Sequence, residues 1–151
     1  MIYYSLIVLA SVIIDQLIKY WVVSNIEIHE TIFSNPILSL THIRNSGAAW
    51  SILEGKMWFF TVVTVIALII LPYLLYKYHN ESKWMTIGLS LIIGGTLGNF
   101  IDRIRLGEVV DMFQVEFFNF PIFNFADVSL VIGVMCIFVY ILFFEEKSKG
   151  M

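Results

Sequence analysis

Asp111 and Asp127 are the side chains whose type and placement best suit a reaction. Asp111 lies in a run rich in β-formers, and Asp127 directly precedes a long uncharged stretch, with Asn124 three residues ahead of it. Two carboxylates within hydrogen-bond reach of each other cannot both ionise easily, so one keeps its proton while the other can draw a proton from water. Such a pair is a general acid and a general base at once, and it needs no metal or organic cofactor for hydrolysis. A structural reading of the same residues also exists, in which Asp127 N-caps a helix and Asp111 is a solvated loop acid.

Other polar residues interrupt apolar sequence. Asp15 and Lys19 are spaced i, i+4 with the acid first, which puts them on one helical face as a pair near an interface, with Lys19 free to snorkel. An aspartate at membrane depth costs about 2.5 to 3.5 kcal/mol on insertion scales, so such acids usually have partners. Asn99 and Arg103 repeat the spacing, and an amide and a guanidinium on one stripe could hold a peptide backbone or form a structural hydrogen-bond knot. Gly94 and Gly98 form a small-xxx-small face suited to close helix packing.

Several other chemistries are poorly served. His29, His42 and His79 have neither an HExxH motif nor cysteine partners, which argues against a zinc peptidase, and no metal site is expected. Ser46, Ser51 and Lys56 lack the surroundings a serine and lysine mechanism needs, and the Gly-x-Gly-Asp signature of another membrane aspartyl protease class is absent. Cys136 lies in an apolar run, where a thiol acts as filler. A formal charge of −3 and a pI near 5.5 leave no basic stripe for nucleic acid.

The elements that must position these groups follow from composition. Of 151 residues, 59% are hydrophobic and 14% charged, against roughly 25% charged in soluble domains. Mean hydropathy is +0.85. Residues 57–76, 84–101 and 128–144 contain no Asp, Glu, Lys, Arg or His, and each can cross a bilayer as a helix with its backbone satisfied internally. The run 2–23 is of similar length, broken by Asp15 and Lys19. Four spans are therefore expected, at about 2–23, 57–76, 84–103 and 127–144, in one integral membrane domain over 1–151. No cleaved leader is expected.

Alternation puts the two long intervening segments on one face of the membrane. Lys77, Lys83, Lys147 and Lys149 crowd the short connector and the tail, whereas Arg44, Lys56, Arg103 and Arg105 are spread thinly. That density favours a cytoplasmic connector and termini, with the long segments outside. In those segments 37–43 and 109–115 read as strands. Phe117, Phe118, Phe120, Phe123 and Phe125 around Pro121 suit a surface against lipid or a lipid-like ligand.

Five motifs then stand in order: DQLIK at 15–19, RNSGAAWS at 44–51, GTLGNFIDR at 95–103, GEVVD at 107–111 and PIFNFAD at 121–127. Together, over nearly the whole chain, they make it resemble the bacterial lipoprotein signal peptidases, or signal peptidase II. The resemblance implies an all-α membrane protein of four transmembrane helices with a small extracytoplasmic β-sheet cradle and an amphipathic outer segment. It further implies an aspartyl endopeptidase of the bacterial cytoplasmic membrane, working at the outer face. Its substrate would be a prolipoprotein carrying diacylglycerol on the lipobox cysteine, cut just before that cysteine, and the cyclic peptide globomycin would inhibit it. By motif, Asp111 and Asp127 would be catalytic. Asn45, Gly47, Ala48, Asn99, Arg103 and Asn124 would bind substrate or support the site, and Asp15, Lys19 and Asp102 would be structural. Ile18, Met112 and Val128 depart from common family residues, each beside a key position.

Overall fold

A computed structural model describes residues 2–47 and 55–144. Its order is α1 (Ile2–Asn25), β1 (Thr31–Ile32), β2 (Leu38–Asn45), α2 (Met57–Tyr78), α3 (Lys83–Leu106), β3 (Val109–Val115) and α4 (Phe125–Phe143). All four helices are long and apolar enough to cross a membrane. The helices overrun the uncharged runs by a few residues because capping, rather than hydropathy, sets their ends. Ser82 caps α3 by accepting from Trp84 N–H, and Gly107 closes it with a left-handed φ of 74°, donating to Arg103 O. A residue with a Cβ would be strained in that left-handed backbone conformation, although the space around it is open.

The bundle is built around α3. Gly94 faces α1, where an added Cβ would sit 2.6 Å from Ser11 Cβ, and Gly95 faces α4, where it would sit 2.4 Å from Ala126 O. Gly88 and Gly133 interlock lower down, each facing the other's carbonyl oxygen. Helices in lipid gain nothing from hiding apolar side chains from each other, so close backbone approach and polar contacts hold them together. Ser11 donates to Ser129 across α1 and α4 at 3.0 Å. Apolar packing of α2 on α3 centres on Leu75, Leu89 and Ile93.

At the end where α1 and α3 finish and α2 and α4 begin, an antiparallel sheet of order β1-β2-β3 caps the bundle. Val22 of α1 and Ile26 just beyond its end pack against Val110 and Met112 beneath it. Strand β2 runs to Asn45, two residues past the expected run, and the two-residue β1 was not anticipated. Pairing shifts between Leu40↔Phe113 and Ile43↔Asp111, so β2 carries one extra residue at Thr41–His42. Both are buried, as at a bulge, and the His42 Nδ1–H donates to Ile26 O at 2.8 Å. Beyond β3, Phe117, Phe118 and Phe120 are exposed in an edge-to-face series that ends on Phe123, which pairs its backbone with Phe113.

Candidate active site

Asp111 arrives from β3 with its carboxylate 3% exposed, so the solvated-loop reading does not hold. The bulge decides what faces it. If β2 paired without a break from Leu40↔Phe113 onward, Asn45 would point to the opposite side of the sheet. With the bulge, Asn45 shares the face of Asp111 and donates Nδ2–H to Asp111 Oδ2 at 2.9 Å. Asn124 donates Nδ2–H to the other oxygen, Oδ1, at 2.7 Å.

Asp127 is not the helix cap. Asn124 is the N-cap of α4 and Asp127 the third helical residue, in a reciprocal capping box. Asn124 Oδ1 accepts from Asp127 N–H, and Asp127 Oδ2 accepts from Asn124 N–H at 3.2 Å. The remaining Asp127 oxygen, Oδ1, accepts from Asn99 Nδ2–H at 2.8 Å. Asn124 also donates to Asn99 Oδ1 at 3.0 Å, so this amide links the two carboxylates.

The Asp15 and Lys19 pair sits deeper than expected. Lys19 is 3% exposed and does not snorkel. Its Nζ reaches Asp15 Oδ2 at 2.9 Å, Asp102 Oδ2 at 2.9 Å and Asn99 Oδ1 at 3.0 Å, which uses all three of its donors. Asp15 Oδ1 accepts from Ala126 N–H at 2.9 Å and thereby ties α1 to the first turn of α4. Asp102 Oδ2 also takes Val110 N–H, fixing the start of β3 beside α3. Gln16, which sequence reasoning missed, donates to Asp15, Asp102 and Gly98 O. Its signal was an amide beside an acid within an apolar helix.

Burial and the nearby Asp127 charge push the Asp111 carboxyl up to about 7, against the partial relief of the Asn45 and Asn124 amides. That value suits a group that keeps or yields a proton near neutrality. Arg103 lies within electrostatic reach of Asp127, Asp111 and Asp102, with its guanidinium 5.5 Å from the Phe60 ring of α2. Its Nε is buried with no hydrogen-bond partner among the described residues.

These groups share one cavity of about 400 Å³. Asn45, Gly47, Asn99, Arg103, Asp111 and Asp127 form its polar side, and Phe120, Pro121, Ile122, Phe123, Val128, Val131 and Ile132 its apolar side. Val131 and Ile132 are about half exposed on the lipid-facing side of α4, so the apolar wall continues from the carboxylates toward the bilayer. Asn124 sits behind the cavity, fully buried. Ala48 lies outside the described residues, as do Trp50 and Ser51.

A cavity lined by two carboxylates bridged through Asn124, with an apolar wall and set at the shared end of four apolar helices, fits a membrane enzyme. Two solved bacterial membrane enzymes have this fold. One matches with a TM-score of 0.89 at 43% identity over 94% of this chain and 88% of its own, the other with 0.87 at 42% over 95% of each. The family model for signal peptidase (SPase) II matches residues 7–143. The lipoprotein signal peptidase of Enterococcus faecalis is 54% identical over 97% of this chain and 91% of its own. That of Lactiplantibacillus plantarum is 55% identical over 97% and 98%. The chain belongs to the signal peptidase II family, the lipoprotein signal peptidases, and is a membrane-spanning peptidase.

Proposed function

We propose that the chain is an aspartic endopeptidase that removes the signal peptide from prolipoproteins whose lipobox cysteine already carries diacylglycerol, cutting just before that cysteine. The observation that carries this reading is the Asn124 bridge, which holds Asp111 and Asp127 at one cavity whose apolar wall runs toward lipid. The acyl chains stay against Val128, Val131 and Ile132 while the scissile bond meets water at the carboxylates.

In this mechanism Asp111 holds the proton and Asp127 is the base. Asp127, taken as the carboxylate, accepts from Asn99 Nδ2–H and Asn124 N–H, which fix the aim of its two oxygens. Asp111 is buried beside that negative charge. Asp127 takes a proton from water as the water oxygen bonds to the carbonyl carbon before the cysteine, and Asp111 donates to the developing oxyanion. The C–N bond then breaks, the cysteine amine leaves with the proton taken up by Asp127, and the new carboxyl group returns a proton to Asp111. Arg103 and Asn45 orient the peptide and the acid, and Gly47 leaves room for the main chain.

The enzyme sits in the bacterial cytoplasmic membrane with this site at the outer face and both termini cytoplasmic. Globomycin inhibits it by occupying the cavity. The test is a gel-shift assay on a purified diacylglyceryl precursor. Asp111→Asn and Asp127→Asn each abolish the shift while the protein accumulates normally, and globomycin blocks it in the parent enzyme. Cleavage surviving in either variant removes that aspartate from the mechanism.

A further inference from the structure

Among the buried polar groups, Lys19 has the most constrained surroundings and no part in the chemistry just described. An ammonium can only donate, so the atom of Asn99 that lies 3.0 Å from Nζ must be the amide oxygen. The same oxygen accepts from Asn124 Nδ2–H. Both donors therefore force the Asn99 NH2 group to the other side, where it meets Asp127 Oδ1. A flipped Asn99 would set its oxygen against the Asp127 oxygen and its NH2 against a cation.

We infer that Lys19 is a positioning residue for the hydrolysis, acting through Asn99: it locks the amide in the one orientation that donates to Asp127 and so keeps that carboxylate an acceptor aimed at the cavity. Asp15 and Asp102, the other two partners of Nζ, hold the ammonium in place from α1 and α3. The ion pairs thus do more than join helices. They give the amide network a direction, from Lys19 through Asn99 to Asp127.

This inference rests on the proposed aspartic mechanism, so its test separates the two. A double-mutant cycle between Lys19→Met and Asn99→Ala is read by single-turnover cleavage. Lys19→Met alone lowers kcat on the order of 10- to 100-fold, the loss of one charge-assisted hydrogen bond, with KM little changed. In the Asn99→Ala background the same change costs nothing further. Additive losses overturn the proposal while leaving the aspartic mechanism standing, whereas full activity in Asp111→Asn and Asp127→Asn removes that mechanism itself.

Since Lys19→Met leaves Asp15 without its cation, the cycle is repeated with Asp15→Asn added to every member. Asp102 retains its Gln16 and Val110 N–H donors. A second readout is the pH profile. The charged groups facing this cluster are Asp15 and Lys19 from α1, Asp102 and Arg103 from α3, Asp111 from β3 and Asp127 from α4, and β2 contributes the neutral Asn45. Lys19, like Arg103, lies within electrostatic reach of Asp111, and its charge favours the ionised carboxyl. Its loss moves the alkaline limb of kcat/KM to higher pH, and Lys19→Arg, which keeps the charge, leaves the limb in place. A loss on Lys19→Met that Asn99→Ala does not absorb, with the limb unmoved, assigns the residue to helix packing alone and overturns the proposal.

Discussion

Helices α2 and α3 are of nearly equal length and read alike as spans, yet they are built on opposite plans. In α2 the most apolar window has a mean hydropathy of 2.4 and is 11% buried; in α3 it is 1.4 and 50% buried. The more apolar helix is the one outside. Lipid solvates apolar side chains as well as a protein interior does, so hydropathy does not drive a helix inward. What goes inward is whatever lipid cannot satisfy, and α3 carries it: Thr86, Ser90, Asn99 and Asp102 beside glycines that let α1 and α4 approach. The difference teaches that in this molecule the interior is marked by polar and small residues, and the candidate site is the end of that interior beneath the sheet.

The strongest test of this contrast fills the α3 interface. Gly95→Ala puts a methyl carbon 2.4 Å from a backbone oxygen, Ala126 O, which cannot move without displacing the first turn of α4 and Asp127 with it. We expect a loss of at least about 1 to 3 kcal/mol, the cost of overpacking, seen as a lower Tm in detergent and a matching loss of cleavage. Ile66→Leu on α2, half exposed toward lipid, stays within about 0.5 kcal/mol. Equal effects at the two positions would end the distinction between the helices.

Much of that plan was legible in the sequence, and what was not has a common cause. Three uncharged runs and a fourth broken only by Asp15 and Lys19 announced four helices because a bilayer demands long apolar segments, and 109–115 read as the strand it is. The acids and amides in otherwise apolar sequence stood out for the same reason. Lys19 was misplaced because its burial depends on Asp102 and Asn99, about eighty residues away, which i, i+4 spacing cannot reveal. The bulge at Thr41–His42 carries no glycine or turn signal and is fixed by pairing with β3, so the placing of Asn45 beside Asp111 was not available from spacing. The alternative reading of Asp127 as the N-cap could have been settled from spacing alone: Asn124 and Asp127 have the capping-box spacing, which makes Asn124 the cap.

Less severe than a filled interface is a change in proton affinity at the site. Asp111, its carboxyl pushed up to about 7 by burial and the Asp127 charge, is the acid of the proposed mechanism, which therefore predicts that kcat/KM falls as pH rises through about 7. The sign for stability agrees: a carboxyl raised from about 3.9 contributes fully below that value, and its contribution is lost as pH climbs toward 7. Asn45→Ala removes a donor that favours the ionised form. The falling limb then moves to higher pH, while the rate at the optimum drops because Asp111 loses one of two tethers. A limb that moves to lower pH, or stays, shows that Asp111 is not the group being titrated.

The smallest effect is expected where the lipid-facing helix touches the site. Near its N-terminal end, α2 places Phe60 under the Arg103 guanidinium, 5.5 Å from ring centroid to charge. A cation over an aromatic face is worth about 0.5 to 2 kcal/mol, depending on how dry it is. Phe60→Leu keeps the apolar volume and removes the ring quadrupole, so Arg103 is less firmly aimed at the cavity it lines. If Arg103 holds the substrate main chain, the change raises KM by a few fold and leaves kcat nearly unaltered, because the carboxylates and their amides are untouched. The same substitution at Phe59, which is exposed, does neither. A fall in kcat with KM unchanged would instead mean that α2 reaches the dyad through Arg103, and the separation between an outer and an inner helix would not extend to the chemistry.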